Sequence, residues 1–154
     1  MNYFEEALQV MKDLYGKDVV MSLATTNNGK ANIRNVNAYY KDKCFYITTY
    51  ALSNKIKEIT LNPWVALCHN LFVAHGESEN IGHPLKESNK RLRKELRQVF
   101  SAFYDKHVNE ADENTCILKT TLTDSVVFAN EFKYLINFET RTAKREDFII
   151  DIIF

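Results

Sequence analysis

With 154 residues, 45% hydrophobic and 26% charged, the chain has the length and composition of one ordinary globular domain, 1–154, which excludes intrinsic disorder and fits two domains only awkwardly. Twenty basic residues balance twenty acidic ones, so no global field attracts nucleic acid or anionic lipid, and any phosphate site must be local. Cys44, Cys68 and Cys116 are odd in number and form no CxxC pair, so they read as reduced thiols rather than a disulfide framework.

Phe4, Ala7, Leu8, Met11 and Leu14 recur at helical spacing before Gly16, which predicts a short amphipathic helix with Glu5 and Glu6 in its first turn. That acidic start is unlike a signal peptide, and no apolar run approaches membrane-spanning length, so the expectation is a cytoplasmic protein with no membrane contact. Residues 19–25 predict a strand, Asn27-Asn28-Gly29 a turn that favours positive φ, and 31–40 a second strand. On that strand Asn32, Arg34, Val36 and Ala38 share one face, and Ile33, Asn35, Asn37 and Tyr39 share the other. Neither face is cleanly apolar, which marks it as a strand whose polar groups can serve a site.

Lys41-Asp42-Lys43 turns the chain into a third strand, 44–49, completing an antiparallel meander. Ser53-Asn54-Lys55 opens a short helix that carries Ile56 and Ile59 and ends near Asn62-Pro63. Residues 64–69 read as a buried strand with Trp64 as a packing residue, and 72–80 as its hairpin partner. Pro84 is expected to begin a longer helix with Leu92, Leu96, Val99, Phe100 and Phe103 on one stripe. Its opposite face, Lys90, Arg91, Arg93, Lys94 and Arg97, reads as solvated, since nucleic-acid binding needs a basic excess that this chain lacks. An acidic loop over 107–115 precedes strands at 116–122, 125–128 and 133–138. The tail over 148–154 is too apolar for water and predicts a partner contact. Six or seven strands with two or three helices give an α+β chain, mainly antiparallel β, whose sheet is closed or nearly closed.

The segment from Arg34 to Lys55 carries the chemistry. A helix start offers free N–H groups and a positive dipole end. The Ser53 hydroxyl, the Lys55 ammonium and the Arg34 fork would add up to a cradle for a phosphate monoester. The plain alternative makes Ser53 a simple N-cap, leaves Lys55 solvated and pairs Arg34 with a surface carboxylate. Tyr39, Tyr46 and Tyr50 either edge a pocket or are ordinary barrel residues. His69, His75 and His83 lack the HxxxH, HxH or CxxC spacing of a tight metal site, so no metal is expected. His69 reads as core-facing and His75 as hydrogen-bonded near the sheet end.

The stretch MSLATTNNGKANIRNVNAYYKDKCFYITTYALSNKIKEITLNPWVAL, followed by HGESENIGHP, resembles the pyridoxamine 5′-phosphate oxidase-like split-barrel flavoproteins. The resemblance rests on Arg34 and Val36 in one strand, Thr48 ending the next, Ser53-Asn54-Lys55 opening a helix, Asn62-Pro63 closing it, and Val65 and Leu67 in the strand beyond. It implies a split β-barrel with flanking helices that binds FMN. Arg34, Ser53 and Lys55 would hold the phosphate with Asn54 nearby. The ring would lie against the backbone of Val36, Asn37, Ile47, Thr48 and Thr49, at the interface of a homodimer. The implied activity is that of an FMN-dependent oxidoreductase working between a reduced donor, such as a nicotinamide, and a small-molecule acceptor. The alternative is a non-catalytic flavin- or haem-binding sensor or cofactor store. Two departures point away from vitamin-B6 oxidation: no Trp follows Trp64, and Asn54 stands where the resemblance calls for a basic residue.

Overall fold

The computed structural model describes residues 1–148; residues 149–154, most of the apolar tail, lie outside the described residues. Asn28 and Gly29 both take positive φ (50° and 83°), the geometry of a two-residue hairpin turn, between β1 (Val19–Asn27) and β2 (Lys30–Lys41). Asp42 and Lys43 (φ 50° and 67°) make the same kind of turn into β3 (Cys44–Tyr50). β4 (Trp64–His69) and β5 (Phe72–Asn80) form the next hairpin. β6 (Thr115–Ala129), β7 (Phe132–Asn137) and β8 (Thr142–Asp147) complete the sheet. The strand order is β3-β2-β1-β4-β5-β6-β7-β8, and a further β3–β6 pairing closes the first six into a ring. This is an antiparallel barrel with β7 and β8 as an extension.

α1 (Tyr3–Tyr15), which Asn2 and Glu5 cap reciprocally, packs against β2, β6, β7 and β8 and buries Phe4, Ala7, Val10, Met11 and Tyr15. Leu8 and Leu14 are only partly buried, because Val10 and Tyr15 take the inner positions. α2 (Asn54–Leu61) packs on β1 and β5 through Ile56 and Ile59. α3 (Lys90–Val99) and α4 (Tyr104–His107) belong to an insert between β5 and β6 with its own core of Leu96, Phe100 and Tyr104 against Tyr39 and Ile117.

Five expectations need correction. Pro84 does not begin the helix. The Asn89 side chain donates to the carbonyls of Ile81 and His83 (3.0 Å each), holding that stretch in turns, and α3 starts only at Lys90. The strands expected at 116–122 and 125–128 are one strand, β6; Thr123 is an extra residue opposite the His75–Gly76 step, a bulge rather than a break. The charged 142–147 stretch forms β8, so the strands number eight among the described residues. Arg145 there bonds Glu6 on α1 (3.0 Å) and stacks over Phe132 (4.1 Å). Trp64 lies on the outward face of β4, 50% exposed, and packs no core. The basic face of α3 is only partly solvated: Arg93 pairs with Glu110 (2.7 Å) and Arg97 with Asp105 (2.8 Å).

Candidate functional site

β2 pairs with β3 only at Tyr39–Tyr46, Tyr40–Phe45 and Lys41–Cys44. Away from that hairpin β2 stays with β1 while β3 stays with β6, so the two strands diverge. Among the described residues their facing edges, at 34–37 and 47–49, have no strand partner, and backbone groups left unpaired there must find another one. A cavity of about 220 Å³ occupies this fork. β2 lines it with Arg34, Asn35, Val36 and Asn37, β3 with Ile47, Thr48 and Thr49, α2 with Lys55, and the insert with Phe103.

Seven of the nine residues singled out in the sequence therefore meet in one cavity. Ser53 and Asn54 do not line it: Ser53 is the N-cap of α2 and Asn54 its first, exposed residue. Asn35 and Phe103 were missed. Asn35 follows Arg34 directly and was legible as part of the strand edge. Phe103 comes from an insert whose position no local pattern gives.

The electrostatics of the fork are lopsided. Arg34 donates through Nη1 to the Thr25 hydroxyl (2.7 Å) and to the Leu23 carbonyl (3.2 Å), with Nη2 at 3.9 Å from the Glu58 carboxylate. Lys55 donates to the Thr49 hydroxyl (2.7 Å) and makes no ion pair among the described residues. Burial, and then the nearby Arg34 charge, lowers its pKa from the ordinary lysine value of 10.5. Cys116, opposite Thr49 on β6, gives Lys55 no counter-charge at neutral pH, because burial pushes its thiol up to about 11. The Ser53 hydroxyl is buried and has no hydrogen-bond partner, the one side-chain polar atom of that kind among the described residues. It does not cap α2.

The plain alternative is met only in part: Ser53 does hold the N-cap position and Arg34 does have a carboxylate nearby. The Ser53 hydroxyl makes no cap bond, Lys55 is half-buried, and the carboxylate near Arg34 is a buried one. A buried hydroxyl without a partner and a cation without a carboxylate are both costly to keep.

A second opening of about 310 Å³ shares Thr48 and Thr49 and runs on past Tyr50 to His107, Asn109 and Asp112. Tyr39 is buried in the insert core and Tyr46 packs against it, so neither reaches the fork cavity. His75 is hydrogen-bonded, to Asp124 (2.8 Å), as expected, but at a bulge within the β5–β6 ladder rather than near the sheet end. His69 is half-buried on the core-facing side of β4, as expected: it shares that face with Val65 and Leu67, meets the Tyr15 ring edge-on (6.1 Å between centroids), and bonds the Val20 carbonyl through Nδ1 (3.0 Å). Among the described residues no group of three or more His, Cys, Asp or Glu could hold a metal ion, and no helix is long and apolar enough to cross a membrane.

The outward face of β2, β1, β4 and β5 runs up to the fork. Strand register aligns Asn35, Ser22, Cys68 and Val73 in one row, and Ile33, Ala24, Ala66 and His75 in the next. Ile33 (69%), Val20 (53%) and Trp64 (50%) stand exposed on it. Small residues in the middle and large apolar ones around them make a flat, sticky surface.

No family model matches the chain, and no curated protein matches it in sequence. Solved structures match in fold. A FAD-binding protein from Mesorhizobium loti superimposes with a TM-score of 0.61 at 20% identity, over 77% of this chain and 91% of that one. A NimC/NimA family protein from Clostridium acetobutylicum gives 0.57 at 14% identity, over 93% and 94%. A protein related to general stress protein 26, of the pyridoxinephosphate oxidase family and also from Clostridium acetobutylicum, gives 0.57 at 12% identity, over 91% and 97%. The chain has the split β-barrel fold of these structures, an α+β architecture with flanking helices, as the sequence resemblance implied.

Proposed function

We propose that the chain binds FMN in the β2–β3 fork and acts as an FMN-dependent oxidoreductase, passing electrons between a reduced donor such as a nicotinamide and a small acceptor, as half of a homodimer. One observation carries the reading: Arg34 and Lys55 converge on the fork without a carboxylate for Lys55, beside a helix start whose buried Ser53 hydroxyl lacks a partner. Two cations, a hydroxyl and helix N–H groups are the donor set a phosphate monoester needs. The Mesorhizobium loti protein of the same fold is described as FAD-binding, which supports a flavin here.

In this reading Arg34 and Lys55 fix the phosphate end of the ligand. The unpaired edges of β2 and β3 offer N–H and C=O groups to the polar rim of a flat ring, and Phe103 keeps water off it. The adjoining opening past Thr48 and Thr49 leaves room for a second reactant beside the ring. The flavin supplies the redox chemistry when bound; the chain supplies position and a partly desolvated setting. The exposed outward face of β2, β1, β4 and β5 supports a second copy as its cover, since isologous dimers pair one such face with itself.

Purified protein is expected to be yellow, with flavin bands that bleach when reduced nicotinamide is added under nitrogen. A Soret band instead would establish the haem-binding alternative, and colourless protein that ignores added FMN would end the flavin reading.

Lys55 also gives the site a pH dependence of known sign. In the folded, ligand-free protein its pKa is lowered, so between that value and 10.5 the unfolded chain binds more protons, and the Lys55 contribution to stability rises with pH. A bound phosphate favours the charged amine. FMN affinity is therefore expected to fall as pH rises through the lowered value, below the ordinary lysine range, and Lys55→Met should flatten that part of the profile. Flavin fluorescence titrations across the alkaline range measure both.

A further inference from the structure

Glu58 is a buried acid with no role in the reading above, yet it sits three residues along α2 from Lys55. Its Oε1 accepts from Asn32 Nδ2 (2.9 Å) and its Oε2 from the Thr25 hydroxyl (3.1 Å). The same Thr25 oxygen accepts from Arg34 Nη1 (2.7 Å), and Thr25 is fully buried. A relay thus runs from the Arg34 guanidinium through Thr25 to Glu58, with a direct Arg34–Glu58 approach of 3.9 Å beside it. We propose that Glu58 and Thr25 are positioning residues that set the orientation of Arg34 at the fork, tying the phosphate end of the site on β2 to the one on α2. This rests on the phosphate-binding reading of the fork.

The physics favours positioning over simple charge balance. A carboxylate near a phosphate site opposes the phosphate, so its presence needs another reason. Arg has four rotatable bonds leading to its planar head, and holding one edge of that head fixed leaves the remaining N–H groups pre-aimed. A hydroxyl that donates to the acid and accepts from the Arg can make both bonds only with the head in one place.

The test uses Glu58→Gln and Thr25→Val in the full chain, each followed by titration with FMN and riboflavin. NMR of the Arg34 side-chain Nε–H is recorded on ligand-free protein with and without inorganic phosphate. Both variants are expected to lose at least about tenfold in FMN affinity and to keep riboflavin within about twofold, the Arg34 signal broadening or moving to the exposed-arginine position. Thr25→Val matters because it cuts the relay without changing any charge. Tighter FMN binding by Glu58→Gln would make Glu58 a mere counter-charge and overturn the proposal. Parallel loss of both flavins, in step with thermal stability, would make it structural and overturn it too. An unchanged Arg34 signal in both variants rejects positioning whatever the flavins do, whereas equal FMN and riboflavin affinity in the parent protein rejects the phosphate reading of the fork and the proposal resting on it.

Discussion

Lys55→Ala is expected to weaken FMN by about 30-fold or more while leaving riboflavin almost unchanged. The amine is half-buried, has only the Thr49 hydroxyl as partner among the described residues, and sits in a pocket it shares with Arg34. Removing one member of a desolvated, hydrogen-bonded charge pair costs roughly 2–5 kcal/mol, much of it the charge left unpaired. Every 1.4 kcal/mol is about tenfold in affinity. Riboflavin lacks the phosphate and does not sense the change. Arg34→Ala should be at least as severe, since its planar fork can bond two oxygens at once. Lys57→Ala is the matched control, because Lys57 is exposed and lines no part of the cavity. Titrating both flavins against the three variants, with thermal unfolding checked for each, separates a specific ligand from general surface charge. Equal losses for Lys55→Ala and Lys57→Ala would remove Lys55 from the site.

Ile33→Asp is expected to split the proposed dimer. Ile33 is the most exposed residue in the row that crosses Ala24, Ala66 and His75, and none of the described residues covers it. In an isologous interface each substitution occurs twice. Truncating a large apolar interface anchor commonly costs roughly 2 kcal/mol or more, and a buried carboxylate without a partner adds to that. The dissociation constant should rise by about a thousandfold or more. Light scattering should then give one chain mass, 17.9 kDa, in place of two. Leu85→Asp changes an equally apolar exposed residue that lies outside the four strands, in the connection before α3, and should leave the dimer intact. A parent protein that is monomeric at micromolar concentration and still holds FMN would contradict the arrangement.

The barrel was legible where turn chemistry is local. Asn28-Gly29 and Asp42-Lys43 announce their hairpins, and strands β1 to β5 fall within a residue or two of their expected bounds. The second half was less legible for definite reasons. β8 alternates Ala143 and Arg145 inward with charged neighbours, and an arginine packed on Phe132 and Glu6 does not read as a core residue. The bulge at Thr123 imitates a chain break because one extra residue shifts the alternation. Trp64 looked like core because it is large; which face of β4 it occupies depends on register, and a one-residue step reverses it.

The site divides the same way. Arg34, Lys55 and the two strand edges were readable because they lie within one continuous stretch of sequence. Glu58 and Thr25 were not, since a buried acid and a buried threonine declare their roles only through contacts across elements. Phe103 arrives from an insert folded back over the fork, a tertiary fact with no local signature.

The central claim is that the fork between β2 and β3 recognises the phosphate of a flavin. Its most direct test is a side-by-side titration of the purified, flavin-stripped protein with FMN and riboflavin at neutral pH. Charge-assisted hydrogen bonds contribute roughly 1.5–3 kcal/mol each, so FMN should bind at least about tenfold more tightly. Equal affinity for the two would mean that Arg34, Lys55 and the Ser53 hydroxyl do not hold a phosphate.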